Sequence, residues 1–135
     1  MTTAVDSSVL FEVLPPNVAH VRNSGTALED ARATGSLLIC EVAVAEVRPY
    51  FVTDGALISF IERSGIEFCT ISMAGATLAG RLWEDYTRRG SQTRRSVADF
   101  LIAAHAMTEA DRLLNCNADF RQLPLDDLEV IEPGV

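Results

Sequence analysis

Ser36-Leu37-Leu38-Ile39-Cys40 is a short, almost continuously apolar run set between a glycine, Gly35, and an acidic residue, Glu41. A run this short and this uniform has no polar face to turn to water. It fits a strand buried on both sides, as in a parallel sheet covered by helices. Similar short β-prone runs occur at Thr2 to Val5, Ile66 to Thr70, Arg112 to Asn115 and Leu128 to Ile131.

Helical patterns fill the intervals. Ser7 to Leu14 is stopped by Pro15-Pro16. Asn17 can cap a second helix through about Arg32, which Gly25 weakens and Gly35 ends. Glu41 to Arg48 precedes Pro49, and Thr53 can cap Asp54 to Arg63, closed by Gly65. Ser72 caps a long helix through Arg89, whose apolar stripe includes Leu78, Leu82, Trp83 and Tyr86. A last helix spans Val97 to about Ala110. Strands alternating with helices predict an α/β fold with a mainly parallel sheet of about four to five strands. At 135 residues, with no linker or repeat, the chain is expected to form one domain, 1–135.

Charge and cysteine usage narrow the function. The net charge of −8 argues against a generic nucleic-acid coat protein. All positive charge is arginine, and four of the eleven fall at Arg88, Arg89, Arg94 and Arg95. Guanidinium forks suit phosphate oxygens, although a solvated helix end accounts for such a cluster equally well. Cys40, Cys69 and Cys116 are scattered and form no CxxC pair, as expected of packed free thiols in a reducing cytoplasm. No signal peptide or membrane-spanning stretch is evident. His20 and His105 are too few to suggest zinc, and His105 is read as a packing residue.

Four acids stand at positions where a parallel sheet builds sites. Asp6 ends the first strand, Glu46 lies on the helix after the second, Asp99 opens the last long helix, and Asp119 follows the fourth strand. Ligands of open α/β sheets bind beyond the carboxyl ends of the strands. Each acid also has a purely structural explanation. Asp6 can cap a helix, Ser96-x-x-Asp99 fits a capping box, and Asp119 can cap a turn. Glu46 is the exception: its helical neighbours Val42, Ala43, Pro49 and Tyr50 are apolar and offer no arginine. Such a carboxylate needs hydrogen bonds, a raised pKa or a cation. Glu41, in the first turn of the same helix, is read as the capping acid. Converging carboxylates with little thiol or imidazole nearby select Mg²⁺ or Mn²⁺.

At these residues the chain resembles the PIN-domain ribonucleases, in particular VapC-type toxins of bacterial toxin–antitoxin pairs. Val5-Asp6-Ser7-Ser8 resembles the family's opening strand with its first metal-binding Asp. Val42 to Val47 resembles the segment bearing its glutamate. Ser96-Val97-Ala98-Asp99-Phe100-Leu101-Ile102-Ala103-Ala104 matches its most diagnostic stretch, and Leu113 to Phe120 resembles the last motif. The resemblance implies a three-layer α/β/α fold and a Mg²⁺- or Mn²⁺-dependent endoribonuclease acting on tRNA or rRNA. It also implies a homodimer and a cognate antitoxin. Asp6, Glu46, Asp99 and either Asp119 or Asn117 would bind metal, and Ser8 would orient a carboxylate or a metal water. The last motif departs from the pattern, with Asn115-Cys116-Asn117 where Thr-Arg-Asp is common.

Three alternatives compete. A phosphatase using Asp6 as nucleophile is disfavoured, because Ser8 stands where haloacid-dehalogenase-type enzymes place a second Asp. A catalytically weakened PIN domain that binds RNA or protein is motivated by Asn117. A capped acidic domain with no metal site is the third.

Overall fold

A computed structural model describes residues 1–14, 18–90, 95–116, 120 and 123–133, with the side chains of 18–23 left out of the description. Pro15, Pro16, Asn17, Arg94, Asn117 and Asp119 therefore lie outside the described residues.

The chain alternates strand and helix as the apolar runs predict. Strand β1 is Thr3–Val5, β2 Leu37–Ile39, β3 Ile66–Phe68, β4 Arg112–Leu114 and β5 Glu129–Ile131. Helices are α1 Ser7–Val13, α2 Val18–Thr34, α3 Glu41–Val47, α4 Asp54–Arg63, α5 Met73–Arg88 and α6 Val97–Glu109. A single 3-10 turn, Arg48–Tyr50, follows α3, and Pro49 sits inside it rather than ending the helix outright. The five strands form one sheet in the order β3-β2-β1-β4-β5, and every pairing is parallel. Together with the flanking helices this is a PIN-like α/β/α architecture.

Burial follows the strand order. The central strands β1 and β2 are buried at all three positions, whereas edge strand β3 exposes Glu67 and Phe68. Leu10, Ile39, Val47, Leu113, Leu114 and Phe120 belong to the main core. A second cluster sits between α5 and α6, where Trp83 and Tyr86 pack their rings against buried Phe100. Both aromatics are thus core residues, as expected of an apolar helical stripe.

Two glycines act as predicted. Gly65 closes α4 with a φ of +71°, a left-handed conformation that costs glycine nothing. Gly35 ends α2, and a Cβ there would lie 1.9 Å from the Met1 carbonyl oxygen. That close approach brings β1 alongside β2, with the Thr3 amide donating to the Ser36 carbonyl at 2.8 Å. Gly25, by contrast, does not interrupt α2, because one glycine costs only about 1 kcal/mol in a seventeen-residue helix.

The topology also locates the site. Strands β1, β2 and β3 step outward in one direction, and β4 then returns to the other side of β1. The crevice between the carboxyl ends of β1 and β4 is a topological switch point, where open parallel sheets bind ligands.

Candidate active site

Asp6 is the first residue beyond β1 and the N-cap of α1, so its placement is dictated twice. Its amide donates to the Leu114 carbonyl at 3.0 Å, which continues the β1–β4 pairing by one residue. Its side chain caps α1 by accepting from the Ser8 amide at 3.1 Å. The residue is 6% exposed. Two further donors converge on the same oxygen: the Ser8 hydroxyl, and Asn115 Nδ2 at 3.0 Å. Ser8 Oγ in turn accepts from the Cys116 amide at 3.0 Å. Burial pushes the Asp6 carboxyl above its ordinary value. The Ser8 bonds oppose that shift, and the negative charge of Asp99 adds to it.

Glu46 reaches the same region from α3, one strand further out. Ser7 Oγ donates to its Oε1 at 2.9 Å. Its carboxyl is also raised, by partial desolvation first and then by the charges of Asp6 and Asp99. The residue as a whole is exposed, with Ala43 and Val47 turned to the core instead. The expectation of apolar surroundings is therefore corrected. Helical spacing names the neighbours correctly, but Val42 and Val44 tilt toward the core and leave Glu46 at its rim, over the crevice.

Asp99 is both cap and candidate ligand. The Ser96 amide donates to its Oδ2 at 3.1 Å, so the capping role is real. Its charge nonetheless acts on both Asp6 and Glu46. The negative charges of Asp6, Glu46 and Asp99 are thus close enough to act on one another. Asp119 and Asn117 belong to a segment outside the described residues.

Glu41 behaves as a clamp. It accepts from the Ile71 amide at 2.9 Å through Oε1 and at 3.3 Å through Oε2, tying the start of α3 to the loop after β3. The arginines divide. Arg88 pairs with Glu84 on the exposed end of α5 at 3.6 Å, and Arg89 is exposed beside it. Arg95 turns inward: its guanidinium sits 4.9 Å from the centre of the Phe120 ring, and its amide donates to the Tyr86 hydroxyl. Its cation–π contact makes it a support for the last motif rather than a free phosphate contact. His105 is buried, as expected of a packing residue. Burial lowers its pKa, so it stays neutral near pH 7.

The donor set fits a hard divalent cation. It is made of carboxylate oxygens, and the carboxyls of Asp6 and Glu46 are both raised, by desolvation first and then by neighbouring negative charge that a cation would offset. Among the described residues no three His, Cys, Asp or Glu side chains are arranged so as to hold a metal ion. Thiols are closer than the sequence led us to expect. Cys40 and Cys116 both feel the charge of Asp6, but burial pushes both thiols up, so they remain protonated and poor ligands.

Reasoning from sequence passed over Ser7 and Asn115. Asn115 is fully buried and follows β4 as Asp6 follows β1. The Val5–Leu114 register sets the two side by side. A buried polar residue at the carboxyl end of a strand next to β1 was the available signal.

The all-parallel sheet and its flanking helices form a PIN-like fold. No family model matches the sequence, and no curated protein matches it significantly. Solved structures do. A chain from VapBC2 of Rickettsia felis, bound to a DNA fragment from their promoter, superposes with a TM-score of 0.75 at 20% identity, covering 98% of this chain and 100% of its own. DNA-bound VapBC from Salmonella typhimurium gives 0.72 at 15% identity, with 98% of both chains covered. VapC20 of Mycobacterium tuberculosis, a sarcin-ricin loop cleaving toxin, gives 0.60 at 13% identity, covering 89% of this chain and 93% of its own. The fold is that of a VapC-type PIN domain.

Proposed function

We propose that this chain is a toxin of a toxin–antitoxin pair and a metal-dependent endoribonuclease, hydrolysing phosphodiester bonds in tRNA or rRNA. The observation that carries this reading is that Asp6 and Glu46 are bonded to the adjacent residues Ser8 and Ser7 at the carboxyl end of β1, with the negative charge of Asp99 reaching both. Asp6, Glu46 and Asp99 would hold Mg²⁺ or Mn²⁺, with Asn117 or Asp119 completing the set. When bound, such a cation polarises a phosphoryl oxygen and makes water acidic enough to attack at neutral pH.

The chain's own residues prepare that chemistry. Ser8 and Asn115 fix the Asp6 carboxylate, and Ser7 fixes Glu46. Asp99 is anchored by the Ser96 amide on a buried helix, so its position does not depend on substrate. Because water and not the ribose 2′-oxygen attacks, the products carry a 3′-hydroxyl and a 5′-phosphate. Arg88 and Arg89, exposed at the end of α5, would meet RNA phosphates. The structural relatives include VapBC complexes, which supports a cognate antitoxin for this chain as well. A homodimer and a cytoplasmic location complete the reading, the latter in keeping with three free cysteines. No helix among the described residues is long and apolar enough to cross a membrane.

The second reading, an RNA- or protein-binding PIN domain with weakened catalysis, is favoured by one observation: an amide, Asn115, occupies the buried position beside Asp6, and Asn117 follows where an acid is usual. One experiment separates the two. Purified protein is incubated with total cellular RNA in Mg²⁺, Mn²⁺ or EDTA, beside Asp99→Asn, which keeps an acceptor for the Ser96 amide. Metal-dependent fragments that vanish in the folded variant support the nuclease. RNA retained but uncut with either metal supports the binding module.

A further inference from the structure

The end of the sheet opposite the acidic crevice holds a second feature. A surface cavity of about 500 Å³ opens where β4 and β5 begin. Its floor is apolar, built from half-buried Met107 and Leu128 and buried Leu125. Its rim carries exposed Asp126, Asp127 and Glu129, with Asp111 at the start of β4. Asp111 Oδ2 accepts from the Thr2 amide, which fixes it in place. Among the described residues none of these four carboxylates is in an ion pair.

An acidic rim around an apolar floor is complementary to a partner that brings positive charge to the rim and an aliphatic side chain to the floor. RNA is the wrong chemistry, since its phosphates would meet four carboxylates. We propose that this cavity docks a basic peptide segment, in which arginine or lysine alternates with an aliphatic anchor. The charge complementarity of rim and floor selects that occupant. The surface is separate from the proposed nuclease site, because Asp111 and Glu129 lie at the amino ends of parallel strands and Asp6 and Asn115 at the carboxyl ends.

The test uses a fluorescein-labelled peptide, Gly-Arg-Leu-Arg-Leu-Arg-Gly, titrated with the full chain and followed by anisotropy. Four proteins are compared: wild type, Asp126→Asn/Asp127→Asn, Glu29→Gln/Asp30→Asn on the exposed face of α2, and Glu46→Gln/Asp99→Asn in the crevice. The Asn changes keep side-chain volume, and Asn tolerates the φ of +54° at position 126. The expected result is a fivefold or greater loss of affinity in the cavity variant and less than twofold in the other two. Replacing both leucines of the peptide by serine is expected to weaken binding to wild type at least fivefold. Failure of the peptide to bind wild type, equal loss in the α2 variant, loss confined to the crevice variant, or indifference to the leucines would each overturn the proposal.

Discussion

Asn115 Nδ2 lies 3.0 Å from Asp6 Oδ2, a buried hydrogen bond between residues 109 apart in sequence. It joins the carboxyl ends of β1 and β4 at the point where the sheet reverses its direction of growth. The bond gives the buried carboxylate a donor that carries no charge. Asp6 is thus held in place without a permanent cation competing for the crevice.

Removing that donor should be costly. Asn115→Ala leaves the largely buried Asp6 carboxyl with one donor fewer, a loss of about 1–3 kcal/mol. Urea unfolding should show a lower midpoint with an unchanged slope. Asn115→Asp should be worse at pH 7 than at pH 5, because it sets a second carboxyl against Asp6. Equal stability of Asn115→Asp at the two pH values would mean that the two side chains do not meet in solution.

Glu46 and Glu41 share a helix and should respond in opposite ways. Glu46 is exposed and bonded only through Ser7 Oγ among the described residues, so Glu46→Gln should change stability by no more than about 0.5 kcal/mol. It should abolish the rise in melting temperature produced by Mn²⁺. Glu41→Ala removes the acceptor of the Ile71 amide and should cost about 0.5–1.5 kcal/mol, while the Mn²⁺ response persists. Differential scanning fluorimetry with and without metal reads both quantities. A Mn²⁺ response that survives in Glu46→Gln removes this residue from the ligand set.

Arg88→Ala/Arg89→Ala tests whether these side chains meet phosphate. Both residues are exposed at the end of α5, and the Arg88–Glu84 pair is a solvated i,i+4 interaction of little weight. Stability should stay within about 0.5 kcal/mol of wild type. RNA affinity, measured in EDTA to prevent cleavage, should fall. The dependence of log K on log salt should flatten by about 0.7 for each single-strand phosphate that the variant no longer neutralises. An unchanged salt slope would return both arginines to the role of solvated helix end.

The fold was legible because its signals are local. Five short apolar or β-prone runs and the helical stripes between them follow from side-chain periodicity, and Thr53, Ser72 and Gly65 mark their helix ends as predicted. Asp6 and Asp99 were legible as caps, and the structure shows both capping roles. What was not legible depends on geometry between elements. Ser7 and Asn115 become partners of Glu46 and Asp6 only through the packing of α1 on α3 and the register of β4 on β1. The setting of Glu46 was misjudged for the same reason, since spacing along a helix does not tell which way the helix rolls against its sheet. Arg95 belongs to the same class: its position over Phe120 depends on two segments that the sequence holds 25 residues apart.

The crevice should also set the pH dependence of the metal-free protein. Asp6 and Glu46 both have folded-state values raised above the ordinary 3.8 and 4.5, by burial first. An acid raised on folding binds more protons in the native state than in the unfolded state. Its stabilising contribution is complete below the unfolded value and is lost as pH rises through the folded one. These two groups therefore favour the native state near pH 4 and penalise it toward neutrality. Asp6→Asn removes one of these burdens while keeping an acceptor for Ser8 and Asn115. It should be less sensitive than wild type to a rise from pH 5 to pH 7.5 in urea unfolding, and at pH 7.5 it should be the more stable of the two in EDTA. Mn²⁺ should reverse that order, because the cation stabilises only the protein with the ionised carboxylate. The Mn²⁺-induced gain of wild type should itself grow with pH, as protons cease to compete for the ligands. A Mn²⁺ gain that is the same at both pH values, or equal in Asp6→Asn, would show that the ion binds elsewhere.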